Sequence, residues 1–196
     1  MGKIYCLMGK SASGKDTLYQ RLLNNKKLRL KSIVPYTTRP IREGEVDGET
    51  YHFCTVNEAQ QMQKEGRVIE MRTYQTVHGP WSYFTADDGQ IDLKKGDFLL
   101  IGTLEVYEKL VAYFGAEHIV PLYIHVDDGQ RLLRALQREM KQAEPKYAEL
   151  CRRFLADEED FSKEKQKSLG ISKVFENTDV EQVTAELENY ILEGMR

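Results

Sequence analysis

The 196-residue chain has little cysteine, no dominant charge and no long apolar run. Its three cysteines, Cys6, Cys54 and Cys151, form no C-x-x-C pair, which excludes the usual zinc motifs and a disulfide framework. Its 28 basic and 31 acidic side chains give a net charge of −3, without the basic surface that duplex nucleic acid requires. No apolar run is long enough to span a bilayer, and no targeting segment is evident. We therefore expect a cytoplasmic protein that binds neither nucleic acid nor membrane.

The clearest motif follows the first apolar run, residues 4–8. Residues 9–15 read Gly-Lys-Ser-Ala-Ser-Gly-Lys and precede a helix-like stretch, so they match G-x-x-x-x-G-K between a strand and a helix. Gly9 and Gly14 permit backbone angles that turn successive N–H groups inward, where they bind anionic oxygens. Lys15 adds a positive charge near the β- and γ-phosphates. The sequence predicts an ATP site formed by Gly9, Lys10, Ser11, Ala12, Ser13, Gly14, Lys15, Asp16 and Thr17.

The residue after Lys15 departs from the usual motif, in which a Ser or Thr hydroxyl coordinates magnesium. Here Asp16 stands in that position and Thr17 follows it. A carboxylate is also a hard oxygen ligand that suits Mg²⁺. We expect Asp16 to contact the magnesium that accompanies ATP, directly or through water, and Thr17 to contact phosphate. The helix dipole alone also explains an acidic residue in a first helical turn.

Apolar runs alternate with helical patterns along the chain, which is typical of an α/β fold with a parallel sheet. The predicted strands are Lys3–Met8, Leu30–Val34, Val68–Thr73, Phe98–Gly102, Val120–Val126 and Lys173–Glu176. The predicted helices are Lys15–Asn25, Asn57–Glu65, Leu104–Phe114, Gly129–Gln142, Lys146–Leu169 and Val180–Glu193. The run Phe98–Ile101 is apolar on both faces, as expected of a central parallel strand.

Two stretches interrupt this alternation. The first, residues 35–84, is rich in Thr, Tyr, Arg and Gly and contains short β-like pieces. The second, residues 130–161, is long, helical and arginine-bearing. The sequence therefore predicts one domain with three parts. These are a core (1–34, 85–129 and 162–196), a small β-rich insert (about 35–84) and a helical lid (about 130–161).

The β-rich insert carries the more specific pattern. Residues 36–45 read Tyr-Thr-Thr-Arg-Pro-Ile-Arg-Glu-Gly-Glu, and residues 47–53 read Asp-Gly-Glu-Thr-Tyr-His-Phe. This pattern resembles the guanylate kinase family, and the phosphate-binding loop, a strand with Glu70 and a late Asn177 follow the order of that family. The resemblance implies a P-loop kinase fold in which the insert binds the monophosphate. It also implies a Mg²⁺-dependent enzyme that moves the γ-phosphoryl group of ATP to GMP, giving ADP and GDP.

The resemblance also implies roles for single residues. Arg39 and Arg42 would hold the phosphate of GMP with Tyr51, because two guanidinium groups suit a dianionic phosphate. Glu70 would accept hydrogen bonds from guanine N1–H and the exocyclic amine, a pair of donors that adenine lacks. Asn177 matches a residue on the adenine side of ATP. The implied GMP site is Arg39, Arg42, Tyr51, Glu70, His78, Gly79 and Thr103.

Two positions depart from that family. Pro80 follows Gly79 where the family has a small hydroxyl residue, and Thr103 aligns with an aspartate that faces the base. We therefore expect GMP to be preferred over AMP, with most discrimination coming from Glu70. Glu70 lies in an apolar strand, so a structural salt bridge is the rival interpretation of its carboxylate.

In the family, arginines of the lid close over the phosphates. Arg138 and Arg153 match best, Arg134 comes next, and Arg131 and Arg152 are expected on solvated helix faces. The residues implied for catalysis are Lys15, Arg39, Arg138 and Arg153, which would align the reactants and cancel charge on the transferring group. The acidic run 157–160 is predicted to be an exposed helix.

Two other functions stay open. A kinase of related fold that acts on a ribose phosphate, such as ribose 1,5-bisphosphate, would need no guanine contacts, and Pro80 and Thr103 are compatible with it. A non-catalytic guanylate-kinase-like binding module would lack a working phosphate-binding loop, so residues 9–15 argue against it. The sequence makes no prediction of the oligomeric state.

Overall fold

A computed structural model of the chain describes residues 1–42, 44–76 and 79–195. These residues contain nine strands and seven α-helices. The strands are β1 (Ile4–Met8), β2 (Lys31–Ser32), β3 (Tyr36–Thr37), β4 (His52–Phe53), β5 (Val68–Thr76), β6 (Gly79–Ala86), β7 (Phe98–Ile101), β8 (Ile119–His125) and β9 (Val174–Glu176). The helices are α1 (Lys15–Asn24), α2 (Val56–Lys64), α3 (Leu104–Phe114), α4 (Asp128–Glu139), α5 (Tyr147–Asp160), α6 (Lys163–Ser168) and α7 (Val180–Gly194). None of the helices so described is long and apolar enough to cross a membrane.

A five-stranded parallel sheet forms the centre, with the strand order β2-β7-β1-β8-β9. Every residue of β1 is buried, because helices cover both faces of the sheet. On one face Ile4 and Cys6 pack with α3, and on the other Tyr5 and Leu7 pack with α1 and α7. The predicted α/β fold, with a central parallel sheet and flanking helices, is confirmed, and Cys6 is the core thiol that its apolar strand predicts.

The carboxyl ends of these strands bring distant parts of the chain to one edge of the sheet. The predicted phosphate-binding loop follows β1, Thr103 follows β7, and Asn177 follows β9. In open parallel sheets this edge is where ligands bind. The predicted ATP loop and its predicted companion Asn177 are therefore neighbours by topology.

A second sheet lies in the β-rich insert, with the strand order β4-β3-β6-β5. Its strand register separates two faces. One face packs on α2, where Phe84 and Ala86 form a small core with Ala59 and Met62. We call the other the polar face of the insert. Cross-strand pairing assigns to it Thr37, Phe53, Glu70, Arg72, Tyr83 and Thr85.

Two local predictions were wrong. The helix predicted over Lys146–Leu169 is two helices, because α5 ends at Asp160 and the side chain of Ser162 caps α6. Strand β5 continues to Thr76 because it pairs along its length with β6, a strand that the sequence did not predict. The last helix, α7, is capped by Asp179, whose carboxylate accepts the backbone N–H groups of Glu181 and Gln182.

Candidate functional site

The loop after β1 adopts a backbone that glycine alone accommodates. Gly9 has φ +149° and Gly14 has φ +87°, and both angles lie where L side chains are rare. Space is limiting too. A Cβ on Gly9 would lie 2.4 Å from the carbonyl oxygen of Ile124, and one on Gly14 would lie 2.5 Å from Nδ2 of Asn177. The loop is therefore packed tightly between β8 and Asn177.

Asn177 and Arg134 brace the loop from the β9 side. The buried Asn177 donates from Nδ2 to the carbonyl oxygen of Ser13 at 2.8 Å. Arg134 donates from Nη2 to the carbonyl oxygen of Asn177 at 3.2 Å. The Ser13 hydroxyl is buried without a hydrogen-bond partner among the described residues. A buried hydroxyl without a partner is unfavourable, so a ligand oxygen at the loop would relieve it.

Lys15 lies inside the curve of the loop. Its ammonium donates to the carbonyl oxygens of Gly9 at 2.5 Å and Lys10 at 3.0 Å. Burial lowers the pKa of Lys15 to about 8; the carboxylates of Asp16 and Asp157 oppose this shift, and the positive charges of Arg153 and Arg131 add to it. An anion bound at the loop would offset both effects, because it favours the charged form of a lysine.

Asp16 and Thr17 are exposed in the first turn of α1, directly after Lys15. No group of three or more His, Cys, Asp and Glu side chains that could hold a metal exists within the described ranges. Mg²⁺ with a nucleotide commonly takes only one or two carboxylates, together with phosphate oxygens and water. The single exposed carboxylate of Asp16 beside the loop fits that donor set.

Arg131 of α4 links helices α4 and α5 to the loop through hydrogen bonds. It is 1% exposed, and its guanidinium donates to the Ser11 carbonyl oxygen at 3.1 Å. It also donates to the carboxylates of Asp128 at 2.7 Å and Glu158 at 3.0 Å, and it lies 4.7 Å from the ring of Phe154. The prediction that Arg131 lines a solvated helix face was wrong, because these acceptors and the ring enclose it.

Asp157 of α5 reaches the same loop. Its Oδ2 accepts a hydrogen bond of 2.7 Å from the Ser11 N–H and lies 3.4 Å from Nη1 of Arg131. Next to it, Nζ of Lys10 donates to Glu158 at 2.6 Å. The exposed helix predicted for residues 157–160 was therefore wrong at Asp157, which is 9% exposed, although residues 158–160 are exposed. We call Lys10, Ser11, Asp128, Arg131, Asp157 and Glu158 the loop–lid cluster.

Arg138 and Arg153 border a pocket next to that cluster. The pocket has a volume of about 200 Å³ between α4, α5 and the loop. Its lining is Ser11, Arg131, Ala135, Arg138, Glu139, Lys146, Glu149, Leu150, Arg153 and Phe154. Arg138, Arg152 and Arg153 are all exposed, but Arg152 does not line this pocket. It pairs with Glu149 at 2.7 Å, as the prediction of a solvated helix face requires.

Arg39, Arg42 and Tyr51 meet in the β-rich insert around a residue that the sequence did not single out. Both terminal amino groups of the buried Arg39 donate to the Glu45 carboxylate, at 2.7 and 2.5 Å. The backbone N–H of Arg42 donates to the same carboxylate at 2.8 Å. The Arg39 guanidinium lies 5.1 Å from the ring of Tyr51. Glu45 thus occupies the bidentate position that an arginine also offers to a phosphate.

Glu70 is 5% exposed and has two partners on the polar face of the insert. Thr85 donates from its hydroxyl to Glu70 at 2.8 Å, and Arg72 donates from Nε at 3.2 Å. The salt bridge that was the rival interpretation of Glu70 is therefore present. A strand places residues i and i+2 on one face, so Arg72 was the sequence signal for this partner.

The remaining residues implied for the base have local structural roles. The Thr103 hydroxyl caps α3 by accepting the Val106 N–H at 3.4 Å. Gly79 begins β6 with φ +97°, and its carbonyl accepts the Thr76 hydroxyl at 2.7 Å. His78 lies outside the described residues.

A parallel sheet whose first strand enters a phosphate-binding loop, joined by a β-rich insert and a helical segment, defines a P-loop kinase fold. The solved structure of guanylate kinase from Anaplasma phagocytophilum has this fold, with a TM-score of 0.67. The comparison covers 100% of this chain and 87% of that one, at 24% identity. The chain therefore has the fold of guanylate kinase.

Sequence comparison reaches the same family over the first part of the chain. Residues 1–87 match the guanylate kinase family model. The chain is 30% identical over 99 residues to a guanylate kinase of Brucella melitensis, covering 50% of this chain and 44% of that protein. It is 34% identical over 105 residues to one of Neisseria gonorrhoeae, covering 54% and 49%. The matched part thus spans about half the length of these relatives, and the resemblance to guanylate kinases is confirmed.

Proposed function

We propose that the chain is an ATP-dependent nucleoside monophosphate kinase that phosphorylates GMP. The observation that carries this proposal is that one guanylate kinase fold holds two clusters of donors suited to binding anions. Lys15 and the backbone of residues 9–15 form the first, and Arg39 with Arg42 and Tyr51 forms the second. Enzymes that join two phosphate-bearing substrates need both, because the chemistry depends on positioning and on charge neutralisation.

The loop after β1 would bind the triphosphate of ATP. Its inward N–H groups, the start of α1 and the Lys15 ammonium all favour negative charge. The buried hydroxyl of Ser13 gains a partner when phosphate oxygens occupy the loop. Asn177, which donates to the Ser13 carbonyl oxygen of the loop, would lie on the adenine side of ATP.

The β-rich insert would bind GMP. Arg39 would transfer its paired donors from the Glu45 carboxylate to the dianionic phosphate, and Tyr51 would add a hydroxyl donor. Glu70 would accept from guanine N1–H and the exocyclic amine. These assignments place phosphate and base on one side of the insert, since Glu70 and the Arg39 group both lie away from α2.

In the reaction, a phosphate oxygen of GMP attacks the γ-phosphorus of ATP, and the bond from that phosphorus to the β–γ bridging oxygen breaks. ADP leaves with the electron pair of that bond. Arg138 and Arg153, beside the pocket at Ser11, would close over the transferring group and stabilise its charge. Asp16 would hold Mg²⁺, which neutralises donor phosphates when bound.

The proposal is tested with purified protein in a coupled assay of ADP release. The acceptors are GMP, AMP, UMP and ribose 1,5-bisphosphate. GMP should give the highest kcat/KM. A higher kcat/KM for ribose 1,5-bisphosphate than for GMP would make a ribose phosphate the acceptor. Absence of turnover with every acceptor would favour a binding module.

Two variants then separate base recognition from phosphate recognition. Glu70→Gln should lower kcat/KM for GMP at least about tenfold and change AMP much less, because adenine presents no pair of donors to this carboxylate. Arg39→Ala should weaken GMP and AMP alike, since it holds only phosphate. If Glu70→Gln leaves GMP use unchanged, guanine is read elsewhere.

A further inference from the structure

Arg72 is a cationic residue on the polar face of the insert, and the proposed reaction gives it no role. It follows Glu70 by two residues on β5 and pairs across the sheet with Tyr83 of β6. Its side chain is 19% exposed, and its Nε donates to Glu70 at 3.2 Å. Its two terminal amino groups have no hydrogen-bond partner within the described ranges. A guanidinium with one of its three nitrogens engaged keeps four N–H donors for a ligand.

Arg72 stands between the two halves of the proposed GMP site. On one side it contacts Glu70, the proposed base-reading carboxylate. On the other, its positive charge opposes the rise that burial causes in the pKa of Tyr51, as the charge of Arg39 also does. Tyr83, the cross-strand neighbour of Arg72, lies 5.6 Å from the ring of Tyr51. The free donors of Arg72 are therefore placed where a bound nucleotide would pass from phosphate to base.

Guanine presents a fixed order of groups along its edge. The exocyclic amine and N1–H are donors, and O6 and N7, which follow, are acceptors. A carboxylate complements the first pair, and a guanidinium complements the second with two parallel donors. Glu70 and Arg72 offer these complements side by side on one strand face, in contact with each other.

We propose that Arg72 is a specificity-determining residue of the acceptor site, whose terminal amino groups donate to guanine O6 and N7 while Glu70 accepts from N1–H and the amine. This inference rests on the proposed function. Arg72 would supply the hydrogen-bond donors that the two departures from the family remove. Pro80 has no donor, and the Thr103 hydroxyl is engaged as the cap of α3.

The same arrangement rejects adenine. An adenine base has an amino group where guanine has O6, so the donors of Arg72 meet another donor. Glu70 likewise loses the N1–H that it needs. Discrimination then combines the hydrogen bonds that guanine makes with the polar groups that adenine leaves unpaired.

The test uses wild-type protein, Arg72→Ala and Arg72→Lys with two acceptors, GMP and its 7-deaza analogue, which lacks N7. Wild type should prefer GMP at least about fivefold in kcat/KM, as expected for one arm of a bidentate contact. Arg72→Ala should lower kcat/KM for GMP at least about tenfold and bring the ratio of the two acceptors to about one. Arg72→Lys keeps a positive charge beside Glu70 but loses the paired donors of the guanidinium. Its ratio of kcat/KM for GMP to that for the 7-deaza analogue should therefore also approach one.

The ratio separates base contact from mere support of Glu70. If Arg72 only held Glu70, both acceptors would weaken equally in Arg72→Ala and the wild-type ratio would persist, which overturns the inference. A wild-type ratio near one overturns it too.

Arg67→Ala, which removes an exposed arginine paired with Glu65, is the matched control and should change neither kcat/KM for GMP nor the ratio of the two acceptors. Should Arg72→Ala fail to fold, Arg72→Lys and Arg72→Gln give the same ratio. Wild-type protein that neither binds nor phosphorylates GMP fails the proposed function itself, and the inference fails with it.

Discussion

The carboxylate of Asp157 accepts a hydrogen bond of 2.7 Å from the backbone N–H of Ser11. This contact joins the second helix of the lid to the loop that we propose binds ATP. A phosphate-binding loop recognises anions through such N–H groups, so under the proposed function the Asp157 carboxylate and a triphosphate would compete for one part of the loop. The proposed function therefore couples the position of α5 to binding of the donor nucleotide.

Asp157→Asn should bind ATP more tightly than wild type. The amide removes a negative charge from the loop but still offers an oxygen to Ser11. We expect the Kd for ATP to fall about three- to tenfold, because repulsion between Asp157 and the phosphates is relieved. The free energy of unfolding should fall by about 1–2 kcal/mol, since Arg131 loses one charged partner. Calorimetric titration and thermal unfolding measure the two effects.

Glu159→Gln is the matched control for Asp157→Asn, because Glu159 is an exposed acid on the same helix. It should leave both quantities unchanged. A Kd for ATP that rises in Asp157→Asn while that of Glu159→Gln stays constant would show that Asp157 supports the loop rather than competing with phosphate.

The Arg39–Glu45 ion pair predicts an acid-dependent loss of stability. Hydrogen bonding from Arg39, helped by the backbone N–H of Arg42, lowers the pKa of Glu45 from 4.5 to about 2. A carboxyl whose pKa is lower in the folded than in the unfolded state stabilises the fold above its unfolded pKa. That contribution is lost as the pH falls from about 4.5 towards 2. Glu45→Gln should therefore flatten the fall of the unfolding midpoint across this window.

Thermal unfolding of wild type and Glu45→Gln between pH 2 and 6 checks this expectation. Glu49→Gln, which removes an exposed acid of the same segment, should follow the wild-type curve. Parallel curves for wild type and Glu45→Gln would mean that the Arg39 contact makes no net contribution to folding.

The lid arginines should separate by position. Arg138 and Arg153 border the pocket beside Ser11, whereas Arg152 lies outside its lining and pairs with Glu149. Arg138→Ala and Arg153→Ala should each lower kcat by about 10²- to 10³-fold, because each removes a charge that stabilises the transferring group. Arg152→Ala should keep kcat within about twofold, as expected of a surface ion pair. Steady-state kinetics with saturating ATP and GMP make the comparison, and equal losses in all three variants would refute it.

Gly14 tests the packing of the loop. Gly14→Ala forces an L side chain to φ +87° and brings its Cβ to 2.5 Å from Asn177. Strain of this kind costs about 1–3 kcal/mol, and the displaced Asn177 should weaken ATP binding. Gly170→Ala is the control, because Gly170 has φ +68° and a Cβ added there would meet no neighbouring atom within 4 Å. Gly170→Ala should lose stability without changing the Kd for ATP, whereas Gly14→Ala should change both.

The sequence predicted the parts of the site that are contiguous in the chain. Residues 9–15 and 36–53 are local motifs, so Lys15, Arg39 and Arg42 could be proposed directly, and their roles stay predictions. Arg131 and Asp157 meet Ser11 only after α4 and α5 fold back on β1, and no spacing along the chain records such a contact. A helical pattern does not distinguish a buried charge with partners from a solvated one, which is why Arg131 was misplaced.

The fold followed the same rule. Apolar runs predicted the parallel sheet, because its buried strands need continuous hydrophobic sequence. Strand β6 was missed, since its polar and aromatic residues pair with β5 to form a half-exposed sheet. Glu45 lies inside a recognised motif, yet its carboxylate became visible as the partner of Arg39 only with the side chains in place.

The central claim is that the chain transfers a phosphoryl group from the loop at Lys15 to GMP held by the insert. Incubation with GMP and ATP labelled in the γ-phosphate, followed by separation of the nucleotides, tests it most directly. Wild type should place the label in GDP and release an equal amount of ADP, and folded Lys15→Ala should form no labelled GDP above background. Labelled GDP from Lys15→Ala at the wild-type rate, or wild-type protein that leaves GMP unlabelled, would contradict it.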